Sequence, residues 1–217
     1  MRTRIRLQHA VLALVLLGSG IRLSADQPGL SRFQNVRTSD APLRLALASC
    51  YDQSPTCRHL IETIDASTTI AMVRIGYCKS ISGTSASCLH FMVDSGGFRY
   101  LRITMDPALR GETLVAMLGH ELQHAVEIVR APEVTSLETM RTLYSRIGYS
   151  RDRYRVQDEW ETAEAKQVAD AVEGELRQAR KSLVQARRCE TSRAAEVGGD
   201  APGGQRVLSD SVHRCCC

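Results

Sequence analysis

The amino-acid sequence predicts an α+β protein, and three observations carry that reading. Short strand-like runs at 67–77, 87–93 and 98–105 come first, rich in β-branched residues and partly alternating. The Gly-rich stretch Asp94-Ser95-Gly96-Gly97 joins the last two as a tight turn. Three helical patterns then follow the strands, and strands followed by helices indicate α+β rather than alternating βα units. The expected sheet is small and mainly antiparallel, with about 3–4 strands.

Taken in order, 26–42 reads as a mobile lead-in, and 43–50 and 58–64 hold short apolar patterns, the second helical. Asp106-Pro107 ends the last strand. The central helix spans 113–129 and stops before Pro132, with Leu114, Val115, Leu118, Leu122, Ala125 and Val129 forming a broad apolar stripe. Thr135-x-x-Glu138 reads as a capping box that opens a helix through Leu137, Met140 and Leu143 and ends at Gly148. A polar loop at 149–157 leads to a long helix from about Asp158 to Arg188.

The ends bound the function class. Residues 1–25 read as a secretory signal peptide: Arg2, Arg4 and Arg6, an apolar core at 10–17, then Leu23-Ser24-Ala25. The apolar run is shorter than the roughly 20 residues a membrane span needs. Asp26, not a cysteine, stands directly after Ala25, so no stable membrane anchor is expected. Four of the 28 basic residues and no acidic ones lie in 1–25, leaving 24 of each sign in the rest. The basic character belongs to the signal peptide and gives no reason to expect nucleic-acid binding. Eight cysteines in an exported chain read as disulfides. Cys50 and Cys57 can close a small loop, Cys78 and Cys88 can staple two strands, and Cys189 can pair with Cys215, Cys216 or Cys217. The folded domain is expected over 43–189, with a disordered tail at 190–217.

The chemistry concentrates in Gly119-His120-Glu121-Leu122-Gln123-His124. Residues four apart share a helical face, so His120 and His124 can point imidazole nitrogens at one metal ion. Glu121, next to the first histidine, can reach a metal-activated water without being a ligand. Two histidines and a glutamate on a largely buried helix need partners. Gly119 costs about 1 kcal/mol of helix propensity against alanine, which marks a place where another backbone comes close. The pattern H-E-x-x-H carries a metalloprotease mechanism with zinc as the metal.

Two histidines leave the ligand set incomplete. A third histidine six residues on, as in metzincins, is excluded because Arg130 stands there, with Glu127 where the preceding Gly is needed. A carboxylate from the last helix remains, in a His₂Glu set. Glu161 is the expected ligand and Glu164, one turn on, the alternative. Asp158 and Glu161 also fit an N-cap with its capping partner.

With His120-Glu121-x-x-His124 and Trp160-Glu161-Thr162, the chain resembles zincin metallopeptidases of the gluzincin type over roughly 98–176. It is also similar to small exported bacterial proteins of unassigned function that carry a HELxH helix after a β-hairpin. The resemblance implies a zincin-like domain and an exported zinc-dependent peptidase that acts on a peptide or protein substrate. In it a zinc-activated water attacks the peptide bond and Glu121 serves as general base. It also implies that strand 98–105 lies at the sheet edge and aligns an extended peptide. Candidates for stabilising the oxyanion are His90, Tyr149 and Tyr154. The alternative is an inactive exported domain whose structural zinc site serves a binding module, and a disulfide-bonded exported domain with no metal stays open beside both.

Overall fold

The structure, a computed structural model, describes residues 33–80, 83–150 and 160–197. The expected signal peptide, the first part of the expected lead-in, Tyr154 and the Cys215–Cys217 end lie outside the described residues. In chain order the elements are β1 (Val36–Arg37), α1 (Ala41–Gln53), α2 (Pro55–Asp65), β2 (Thr69–Ile75), β3 (Cys78–Ser80), β4 (Gly83–Ser85), β5 (Ser87–Ser95) and β6 (Phe98–Met105). They continue with α3 (Gly111–Val129), α4 (Leu137–Ile147), β7 (Tyr149–Ser150), β8 (Trp160–Glu161) and α5 (Ala163–Val197).

The chain is α+β, as expected, but the main sheet is mixed rather than mainly antiparallel. Its order is β1-β2-β6-β5, with β1–β2 and β2–β6 parallel and β5–β6 antiparallel. Parallel neighbours need a crossover, and α1 and α2 supply it between β1 and β2. That crossover was invisible while 26–42 read as a lead-in. Instead, the Asn35 side chain donates to the carbonyls of Ile64 and Ser67 (3.1 and 2.8 Å), and its backbone N–H donates to Asp65 Oδ1 (2.7 Å). These bonds tie the segment to the end of α2 and place Val36 in the core at 2 % exposure. The β5–β6 turn is tighter than expected: Ser95 pairs with Phe98, and Gly96 and Gly97 take φ of 62° and 78°. Positive φ at both central residues is what a two-residue hairpin loop requires. β6 lies inside the sheet, not at its edge; the edge strands are β1 and β5.

α3 is the structural centre. It packs on α1, α2 and α5 and on strands β5 and β6, and nearly every residue from Leu114 to Ile128 is buried. A helix enclosed on all sides is a core helix rather than an amphipathic surface one. Its C-terminal carbonyls have no partners within the helix. Arg99, buried on β6, adds a charged donor at this end, to Ile128 O at 2.7 Å and Ala131 O at 2.9 Å, which also accept from Ala131 N and Val134 N. Burial lowers the Arg99 pKa, partly opposed by Asp94 and Glu133, yet a guanidinium stays protonated. The cation also complements the negative helix end. Arg99→Met is expected to cost about 3 kcal/mol, from two lost charge-assisted bonds in a buried site. It should lower the urea midpoint at an unchanged slope, and a midpoint equal to the parent's would remove Arg99 from this role.

Two of the three proposed disulfides form, and the expected partners of Cys189 lie outside the described residues. Cys50–Cys57 joins α1 to α2 and Cys78–Cys88 joins β3 to β5, with Cα–Cα distances of 5.4 and 6.0 Å. They suit an oxidising compartment. No helix of the described residues is long and apolar enough to cross a membrane. The α4 cap shifts by one residue from the expected Thr135/Glu138 pair. Ser136 and Thr139 form it reciprocally, and α4 ends at Gly148 as expected. The last helix extends beyond the expected boundary, so the first part of the expected tail, 190–197, is helical.

Candidate metal centre

α3 delivers His120 and His124 one turn apart, with ring centroids 4.9 Å apart and edge-to-face. Gly119 lets α5 close over this turn: a Cβ there would lie 2.9 Å from Val172 Cγ2. The close neighbour is thus a side chain of α5.

The third carboxylate comes from Glu161, but from β8 rather than from a helix. Tyr149 pairs with Glu161 across β7–β8, and Gly148 makes the approach possible. A Cβ at Gly148 would lie 2.8 Å from Glu161 O and 3.0 Å from Tyr144 O. α5 begins only after Thr162, whose hydroxyl caps it by accepting from Ala165 N at 3.1 Å. Glu161 is therefore not a capping partner of Asp158, and Thr162 takes that capping role. Glu161 Oε1 sits 3.3 Å from His120 Nε2 and 3.7 Å from His124 Nε2. Glu164 is half exposed and pairs with Arg130 at 2.9 Å, away from the histidines.

One donor atom from each of His120, His124 and Glu161 falls within 4.8 Å of the others, and all three residues are buried. Two imidazoles and one carboxylate converging at that spacing fit a single divalent cation, and the cluster can hold a metal ion.

A second layer holds this set. His124 Nδ1 lies 2.8 Å from Glu127 Oε2. Thr162 Oγ1 donates to Glu127 Oε1 at 2.6 Å, and Tyr144 OH donates to His124 O at 3.1 Å. With its proton on Nδ1 toward Glu127, His124 presents the Nε2 lone pair to the cluster, the orientation metal-binding histidines commonly have. Sequence reasoning missed Glu127, using it only to exclude another ligand pattern. Its signal was present: an acidic residue three positions after His124, inside an otherwise apolar helix, needs a partner on its own face.

Electrostatics follow the geometry. Burial alone would lower the His124 pKa, but the Glu127 hydrogen bond and the charges of Glu121 and Glu161 outweigh it and raise it. Burial also dominates at His120, aided by His124, and lowers its pKa against the pull of Glu121 and Glu161. For Glu127, burial raises the pKa, yet hydrogen bonds from His124, Thr162 and Tyr144 bring it below the usual range. Burial and the nearby carboxylates push the Tyr144 phenol well up, keeping it a neutral donor.

Glu121 stands beside the cluster without joining it. Its Oε1 accepts from Ser87 Oγ at 2.7 Å. Its Oε2 is buried with no hydrogen-bond partner among the described residues. A buried carboxylate oxygen without a donor is costly. Of the candidate oxyanion donors, Tyr149 lies across the ladder from Glu161 with Lys166 Nζ 5.0 Å from its ring centroid. His90 is exposed on β5, alternating with Leu89 and Phe91, which pack against the core. It faces away from α3 and is not part of the cluster.

No protein-family model, curated protein or solved structure matches the chain.

Glu127→Gln keeps the shape but weakens the hydrogen bond that orients His124. Metal affinity is expected to fall by about 10–100-fold, the usual cost of losing such a partner. Competition with a chromophoric chelator measures it, and an unchanged affinity would show that the His124 orientation does not depend on Glu127.

Proposed function

We propose that this chain is an exported zinc metallopeptidase of zincin-like architecture. One observation carries the reading: three metal-competent donors converge beside a glutamate whose Oε2 has no partner among the described residues. Two imidazoles and one carboxylate suit zinc, which leaves a fourth position for solvent. When bound, zinc supplies Lewis acidity and a water whose pKa is near neutral.

The chain's own residues do the rest. Glu121 Oε2 accepts the proton of the attacking water and returns it to the leaving amine nitrogen, so that water adds across the peptide bond. Ser87 fixes Glu121 through Oε1, leaving Oε2 as the free acceptor. Tyr149, in register with Glu161, is the oxyanion donor we assign. Glu127 and Thr162 hold His124 and the start of α5 in one arrangement. Export is part of the same proposal: the N-terminal pattern at 1–25 and the two disulfides agree with it.

The test is hydrolysis of a mixed peptide library by the oxidised chain, read by mass spectrometry with and without a chelator. Chelator-sensitive cleavage restored by zinc is expected. A second reading, a structural zinc site in a binding module, draws on the burial of the ligands, with His120, His124 and Glu161 at 8 %, 6 % and 4 % exposure. It predicts loss of fold on chelation and no cleavage at any zinc level.

A further inference from the structure

The face of the main sheet turned away from α3 carries a row of cations. Arg37 on β1 is in register with Met72 on β2, Met72 with Arg102 on β6, and Arg102 with His90 on β5. Registered residues project from one face, and Arg74, two positions after Met72, shares it. The alternate residues Leu101 and Ile103 are buried in the core. A cavity of about 1100 Å³ reaches from this face round the β1 edge to Arg44 on α1; Arg37, Arg74 and Arg102 line it as well, and, among the described residues, no carboxylate does. None of the four makes an ion pair among the described residues. Arg102 Nε is buried with no hydrogen-bond partner among the described residues. Burial, then Arg102 and Arg74, lower the His90 pKa, a sign of the positive potential over this face.

The floor of the same cavity is apolar, with Phe33, Met72 and Met92. Guanidinium groups match carboxylate and phosphate oxygens, and methionine adapts to flexible apolar partners. The backbone of this region is already paired: Ala71 N donates to Asn35 O at 2.8 Å and Ile75 N to Asp40 Oδ2 at 2.7 Å. A peptide adding as a strand would find little to bond there. The volume exceeds what a lone oxyanion fills and suits an elongated small ligand.

We propose that this groove binds an anionic amphiphile, an apolar chain bearing a carboxylate or phosphate, independently of the metal centre. The headgroup engages Arg74 and Arg102, and the chain lies over Met72 and Met92. The test is calorimetric titration of the full oxidised chain with monomeric dodecyl phosphate and laurate, beside inorganic phosphate and the neutral dodecyl maltoside. At least one of the two anionic amphiphiles should bind, and which one does identifies the headgroup. The simple anion and the neutral detergent should bind at least 10-fold more weakly. The double variant R74Q/R102Q should lose at least 10-fold for the anionic amphiphile, and Met92→Asp should also weaken it. Arg146→Gln on α4, outside the groove, should not change it. Equal affinity in R74Q/R102Q would overturn the proposal, as would equal binding of inorganic phosphate or of the maltoside. Tighter binding of a Glu-rich peptide than of either amphiphile would replace it with an acidic-peptide site.

Discussion

Glu121→Gln is expected to abolish peptide hydrolysis while zinc remains bound. The amide keeps the volume and can still accept from Ser87, so the fold and the three donors stay in place. It cannot take up a proton, and loss of a general base costs about 10²–10⁴-fold in rate. Because that loss falls in the transition state, kcat and kcat/KM should drop together with little change in KM. Zinc content distinguishes this from disruption of the site. If the variant hydrolyses peptides at the parental rate, Glu121 is not the base, and its unpartnered Oε2 needs another explanation.

His124→Ala is the second large effect. It removes one of three donors and leaves Glu127 buried without its strongest partner. Zinc affinity should fall by at least about 10³-fold, more than the 10–100-fold of an outer partner. Stability should also drop, because an uncompensated buried carboxylate is costly. Glu161→Ala should weaken zinc while Glu164→Ala leaves it unchanged, since the Glu164 side chain is about half exposed and engaged with Arg130. Full zinc retention in Glu161→Ala would remove β8 from the site.

Much of the site is legible in the chain because it follows from helical spacing. His120, Glu121 and His124 lie within one turn and a half, so periodicity alone brings them together. Glu161 is legible only as a residue type in a promising context. Its element is not, because a two-residue strand leaves almost no pattern and Trp160-Glu161-Thr162 reads equally well as a helix start. The real start lies at Thr162, and its hydroxyl serves both the cap and Glu127. β1 was hidden for the same reason: two residues cannot show alternation, and only long-range bonds from Asn35 reveal that the segment is structural. The parallel pairing of β2 with β6 is a matter of topology, which local patterns do not encode. α5 runs further than expected because Arg, Ala and Glu sustain helix propensity past 190, and Gly174, with nothing within 4 Å of a built Cβ, interrupts nothing.

The most direct measurement is metal content and coordination of the purified oxidised chain, by elemental analysis and zinc X-ray absorption. One zinc per chain is expected, with two imidazole nitrogens and a carboxylate oxygen at about 2.0–2.2 Å. A folded chain that takes up no zinc, even with metal added, would contradict the site and leave His120, His124 and Glu161 as a buried hydrogen-bonded cluster.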